Sequence, residues 1–99
     1  MTAKQSVQIS VIIPVYQDPV GLGCTVNTLL NQNFPCNNYE IIIVDSGSTD
    51  DTKKNAQEFQ ASFADMVKFE NEDEIQSSYA ARNKGIKIAK GKIICFIDS

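Results

Sequence analysis

Short apolar runs bounded by turn residues set the pattern of this chain. Ile9-Ser-Val-Ile-Ile13, Ile41-Ile-Ile-Val44 and Ile93-Ile-Cys-Phe-Ile97 are rich in β-branched side chains and nearly unbroken by polar ones. Such runs read as strands buried on both faces, as in a parallel sheet covered by helices. The strands are predicted over Val7 to Ile13, Tyr39 to Val44 and Lys92 to Ile97, with a weaker one at Met66 to Phe69. Pro14 is expected to stop the hydrogen-bond ladder of the first.

Between the runs the apolar spacing becomes helical. Leu22, Val26, Leu29 and Leu30 recur at i, i+4, i+7 and i+8, behind an Asp18-Pro19 start signal. Thr52, Ala56, Phe59 and Phe63 form a second stripe, with Ser48 as its expected cap and Asp50 and Asp51 at the positive helix end. Ala81, Gly85, Ile88 and Ala89 form a third, capped by Ser77 or Ser78. There Gly85 is expected to allow close approach to the sheet, and Gly91 to serve as a left-handed C-cap. The order βαβαβαβ predicts a three-layer α/β/α fold. Its mainly parallel sheet has about four strands in the order 3-2-1-4. Residues 1–6 are read as disordered, residues 31–38 as a turn-rich connection, and residues 1–99 as one domain portion.

In open α/β sheets ligands bind beyond the carboxyl ends of the strands, at the point where strand order reverses. Here that point lies between strands 1 and 4. Tyr16, Asp45 and Asp98 follow strands 1, 2 and 4, so the pattern brings them to one edge. Each also has a plainer reading. Asp45 can cap the Gly47-Ser48 bend, Tyr16 can pack on Pro14, and Arg82 can pair with the acidic loop at Glu72, Asp73 and Glu74.

Composition narrows the chemistry. The 99 residues include no histidine, which excludes serine–histidine and cysteine–histidine catalysis and imidazole zinc sites within the chain. The net charge of −3, without a basic stripe, argues against nucleic acid as a partner. Cys24, Cys36 and Cys95 have no metal-ligand or disulfide spacing and read as reduced thiols, with Cys95 expected in the core. No apolar run reaches the ~18 residues of a membrane span, and no signal-peptide pattern opens the chain. A cytoplasmic setting is expected, with the intact parent peripheral to the inner face of a membrane.

Four blocks, in order, resemble the N-terminal half of a family 2 glycosyltransferase with the GT-A fold. They are Ser10-Val-Ile-Ile-Pro-Val-Tyr16, Leu29-Leu-Asn-Gln-Asn-Phe-Pro35, Ile42-Ile-Val-Asp-Ser-Gly-Ser-Thr-Asp50, and Ala81-Arg-Asn-Lys-Gly-Ile-Lys-Ile-Ala-Lys-Gly91 followed by Phe96-Ile-Asp-Ser99. The resemblance implies a nucleotide-diphosphate sugar donor (UDP-, GDP- or dTDP-linked) and metal-dependent transfer to a saccharide, lipid or protein acceptor. It implies that Pro14, Val15 and Tyr16 line the nucleotide pocket, that Asp45 and Ser46 lie near base and ribose, and that Arg82 and Asn83 lie close to the nucleotide. Asp98 matches the first acidic residue of the family's DxD motif, which binds Mg²⁺ or Mn²⁺ bridged to the diphosphate. Where the family often carries a second aspartate this chain has Ser46, which can hydrogen-bond a base edge without charge.

The chain is therefore expected to be the donor-binding portion, ending inside its metal motif. The acceptor half and the catalytic base fall outside it, and no sugar transfer is expected from these residues alone. Two alternatives stand beside this reading: a non-catalytic module that self-associates through an exposed sheet edge, and a nucleotidyltransferase-like domain. The second is disfavoured because Pro14-Val-Tyr-Gln-Asp18 stands where such enzymes carry a glycine-rich phosphate loop.

Overall fold

A computed structural model describes residues 7–31, 38–72, 74–75 and 77–98. The expectations for residues 1–6, for 32–37 with Cys36, and for Asp73 and Ser99 fall outside the described residues. The elements are β1 (Ile9–Val15), α1 (Pro19–Leu30), β2 (Tyr39–Asp45), α2 (Thr52–Ser62), β3 (Val67–Asn71), α3 (Ser78–Ile88) and β4 (Ile93–Phe96). All strand pairs are parallel, and the order is β3-β2-β1-β4, as the pattern predicts.

The apolar runs of β1 and β2 place them at the centre because neither has a face that can meet water. Ile12, Ile13, Ile41, Ile42, Ile43 and Val44 are all fully buried. Each such side chain contributes about 1.5–3 kcal/mol of transfer free energy. On one face Val11, Ile13, Ile41 and Ile43 pack with Leu22 and Val26 of α1, Ala56 of α2 and Val67 of β3. On the other, Ile12, Ile42 and Val44 pack with Ala81 of α3. The result is three layers, with α1 and α2 on one side and α3 on the other. None of the helices among the described residues is long and apolar enough to cross a membrane.

Several local expectations are corrected. Pro14 does not end β1, which pairs with β2 through Pro14↔Val44 and Val15↔Asp45. Ile12 turns its carbonyl to β4, accepting from Ile97 N at 3.0 Å, whereas Val15 turns its own to β2, accepting from Ser46 N at 3.0 Å. By that alternation the donor missing at Pro14 faces the β4 side, where it ends the β1–β4 ladder after Ile12↔Phe96, while the β1–β2 ladder runs on unbroken. Cys95 is exposed. It shares a face with Val11, but the α1–α2 layer does not extend over the edge strand β4, where Ile93 is exposed too. β3 begins one residue late and runs on to Asn71. Phe63 lies past the end of α2 and is largely exposed.

The helix ends follow side-chain chemistry. Asp18 caps α1, accepting from Gly21 N at 3.0 Å, with Pro19 in the first turn. Ser77 caps α3, accepting from Ala80 N at 3.1 Å. Ser48, however, does not cap α2. That helix starts after Asp51, and the Ser48 hydroxyl is engaged elsewhere. Gly91 is not a left-handed cap either, because α3 closes on Ala89 in extended conformation. Gly91 is required by contact: a Cβ there would sit 2.6 Å from Ser10 N and 2.7 Å from Ile9 C. Gly85 meets its expectation, since a Cβ would fall 2.6 Å from Ile12 Cγ2, so α3 rests directly on β1.

A buried carboxylate holds the amino end of the α3 face together. Glu40 is 1% exposed and pairs in register with Ser10. It accepts from Ser10 Oγ at 2.6 Å, from Lys90 N at 2.6 Å and from Lys68 Nζ. Ser10 Oγ in turn accepts from Gly91 N at 2.8 Å. One carboxylate thus joins β2 to β1, to β3 and to the α3–β4 connection. Burial raises the pKa of Glu40, but the bonds from Lys68, Lys90 N and Ser10 outweigh it and leave the carboxyl below its ordinary value.

Glu40→Ala is expected to destabilise the chain by about 2–3 kcal/mol in chemical denaturation. Lys68 can rehydrate, but Ser10 Oγ and Lys90 N lose a buried acceptor. Because the folded pKa is lowered, the contribution of Glu40 is complete above its unfolded value and is lost as pH falls toward the lowered one. The wild-type acid limb below about pH 4.5 should therefore be steeper than that of Glu40→Gln. Gly85→Ala should cost about 1–3 kcal/mol by overpacking against Ile12, read from the same denaturation curves.

Candidate functional site

The turn after β2 is built by Asp45. Its side chain is fully buried. Oδ2 accepts from Gly47 N at 3.1 Å and from Ser48 N at 2.8 Å, and Oδ1 accepts from Ser48 Oγ. Of its two sequence readings, the turn-capping one describes this geometry. Asp45 shapes the bend that presents Ser46, which is itself 4% exposed. Beyond the turn, Asp50 Oδ1 accepts from Thr52 Oγ1 at 2.6 Å and Thr52 N at 3.0 Å, and those bonds hold its carboxyl below the usual range.

The loop after β1 lies against that turn. Pro14 and Val15 are buried, while Tyr16 is 47% exposed. Gln17 follows with φ 52, the left-handed region that residues other than glycine seldom occupy. Its backbone N donates to Ser48 Oγ at 2.8 Å. Its side-chain Oε1 accepts from Thr49 N at 2.6 Å and Asp50 N at 3.3 Å, and its Nε2 donates to Thr49 Oγ1 at 3.1 Å. One residue on, Asp18 N donates to Thr52 Oγ1 at 2.9 Å. With Ser46 N on Val15 O, these bonds close the β1 loop onto the β2 loop along its length.

The far wall comes from α3 and the residues after β4. Arg82 Nη2 stands 3.4 Å from Asp98 Oδ1, and its guanidinium lies 5.9 Å from the centroid of the Phe96 ring. The Asp98 side chain is 78% exposed, so the pair is a weak tether, worth at most about 1 kcal/mol. Asn83 is exposed on α3, about 100° round the helix from Arg82, and is not drawn into that pair. The structure therefore groups Tyr16 with Asp45 and Ser46, and Arg82 with Asp98, on neighbouring strand ends.

Two residues of this edge escape a reading of the sequence alone. Gln17 lies in the loop after β1, and glutamine carries no composition signal for positive φ. Asn71 reads as the start of the acidic loop but is the last residue of β3, in register with Asp45. Among the described residues, Asn71 Oδ1 is a buried side-chain acceptor without a hydrogen-bond partner. A polar residue closing an otherwise half-buried strand was its available signal.

For a divalent cation the donors at this edge are carboxylate oxygens, which suit a hard ion. No group of three or more His, Cys, Asp or Glu comes together among the described residues. Asp98 alone fits Mg²⁺ or Mn²⁺ only as one ligand beside phosphate oxygens and water, the usual arrangement for such ions on a diphosphate.

Comparisons with known proteins agree with the fold. The family model described as glycosyl transferase family 2 matches residues 10–99. Glycosyltransferase AglE of Haloferax volcanii is 42% identical over 90 residues, 91% of this chain and 29% of its own length. S. aureus TarS 1-349 in complex with UDP superposes with a TM-score of 0.82 at 28% identity, over 94% of this chain and 27% of that one. The mannosyltransferase PcManGT of Pyrobaculum calidifontis, in complex with GDP-Man and Mn²⁺, shares the fold with a TM-score of 0.84 at 24% identity, over 95% of this chain and 28% of its own. The chain thus spans less than a third of the length of each of these three proteins. With the family model covering residues 10–99 and the four-stranded sheet superposing on solved glycosyltransferases, the chain belongs to glycosyl transferase family 2 and has the GT-A type of α/β fold.

Proposed function

We propose that this chain is the donor-nucleotide portion of a glycosyltransferase and binds a nucleoside-diphosphate sugar across the carboxyl ends of β1, β2 and β4. The observation that carries the reading is the convergence there of an exposed aromatic ring, a hydroxyl on a pre-formed turn, and a guanidinium. Tyr16 offers an exposed face for a base, and the buried Ser46 and Asn71 stand at the neighbouring ends of β2 and β3. Pro14 and Val15 form the floor, Asp45 fixes the turn, and Asn83 borders the entrance. Arg82, 3.4 Å from the exposed Asp98, carries the guanidinium at this edge, a group well matched to a diphosphate. The UDP complex of the similar TarS chain supports uridine as the first nucleotide to try.

In sugar transfer the diphosphate leaves with developing negative charge. Arg82 can offset part of that charge, and the Tyr16 and Ser46 contacts hold the nucleotide in place while the bond breaks. A divalent cation at Asp98 supplies further charge neutralisation when bound. No residue of this chain is assigned as the acceptor-activating base.

The test is calorimetric titration with UDP, with and without Mn²⁺, of the wild-type chain and Asp98→Ala. Mn²⁺ is expected to tighten binding to the wild type roughly tenfold, or about 1.4 kcal/mol, and to do nothing for the variant. Equal Mn²⁺ enhancement in both would remove Asp98 from the metal site. An absence of binding of UDP, GDP and dTDP to a folded wild type would remove the donor pocket.

A further inference from the structure

The two loops that would grip the nucleotide are joined through Val15 O, Asp18 N and, by the largest set of bonds, Gln17, which touches neither base nor phosphate in the reading above. We propose that Gln17 is a positioning residue: its left-handed backbone and side-chain amide lock the loop bearing Tyr16 to the turn bearing Ser46, so that the two faces of the pocket are set before a ligand arrives. The inference rests on the donor-site reading, but its geometry is independent of it.

Three observations carry it. First, Gln17 has φ 52, a conformation that costs a residue with a Cβ and persists only where the surroundings impose it. Second, this conformation lets backbone and side chain act together. The backbone N reaches Ser48 Oγ at 2.8 Å while Oε1 takes the successive amides of Thr49 and Asp50, at 2.6 Å and 3.3 Å. Third, Ser48 passes the link inward. Its hydroxyl accepts from Gln17 N and donates to Asp45 Oδ1, the same carboxylate that builds the Ser46 turn. The chain Gln17–Ser48–Asp45 therefore couples the exposed β1 loop to the buried end of β2. Loops left unclamped would have to be ordered by the ligand, and the ordering cost would appear as weaker binding.

The role separates from ordinary stabilisation because two substitutions remove the clamp while treating the backbone oppositely. Gln17→Ala loses the side-chain bonds and keeps the strain. Gln17→Gly loses the same bonds and relieves the strain, since glycine occupies φ 52 freely. For the full chain and both variants we would measure amide solvent exchange at Thr49 and Asp50 without ligand, the melting temperature, and UDP affinity. Both variants are expected to exchange faster at Thr49 and Asp50 and to bind UDP roughly tenfold more weakly, although Gln17→Gly melts above Gln17→Ala. Unchanged exchange in both variants would overturn the clamp. Affinity that instead follows melting temperature, with Gln17→Gly binding like the wild type, would overturn the positioning role. If the wild type binds no nucleotide while both variants still open at Thr49 and Asp50, the donor-site reading fails and the pocket-forming role fails with it, yet the clamp itself is distinguished as real.

Discussion

The carboxylate of Glu40 cannot be left unpaired where the fold puts it, and that constraint organises the α3 side of the sheet. A buried charge without partners would cost several kcal/mol, so every group around it is arranged to donate. Ser10 donates from β1, Lys68 from β3, and the Lys90 amide from the start of the connection to β4. Ser10 then receives Gly91 N, and the chain there lies so close to β1 that a Cβ would not fit. The start of β4, and so the register that carries Asp98 to the opposite edge, is set at this end of the sheet. A charged cluster at the amino ends of the strands thereby serves a polar site at their carboxyl ends.

The two ends differ in how their polar groups are held. At the amino end the polar atoms are buried and mutually satisfied. At the carboxyl end the half formed by β1 and β2 is equally well bonded, through Val15 O, Gln17, Ser48 and Asp45. In the half formed by α3 and the residues after β4, α3 packs on the sheet through Ala81 and Gly85, and its outer side chains at the strand ends include the exposed Arg82–Asp98 pair and the guanidinium over the Phe96 ring. Under the proposed function, the bonded β1–β2 loops would take the base and the Arg82 guanidinium would face the phosphates.

Much of this was legible in the residues. Fully buried runs can only be central parallel strands, so β1 and β2, the layers and the strand order follow from Ile9–Ile13 and Ile41–Val44. The places where local reading fails share a cause: side chains that answer to a distant partner instead of their neighbours in sequence. Ser48 looks like a helix cap but serves Asp45 and Gln17. Gly91 looks like a helix terminator but exists for its contact with β1. Cys95 has the spacing of a core residue, yet it lies on an edge strand that the neighbouring helices do not cover on that face. Glu40 and Gln17 carry no local signal, because the bonds that define them span 50 and 32 positions of the chain. Strand position put Tyr16, Asp45 and Asp98 at the carboxyl edge of the sheet, where the structure has them, but their division into an exposed aromatic, a turn builder and an exposed ion pair required the fold.

The account stands on the claim that a nucleotide base lies between Tyr16 and the Asp45–Ser46 turn. The most direct measurement is intermolecular nuclear Overhauser effects between UDP and the labelled chain. Contacts from the uracil ring protons to the Tyr16 ring and to the amides of Ser46 and Gly47 are the predicted result. Contacts confined to another surface, such as Phe59 and Phe63 at the C-terminal end of α2 or Ile93 on β4, would contradict it.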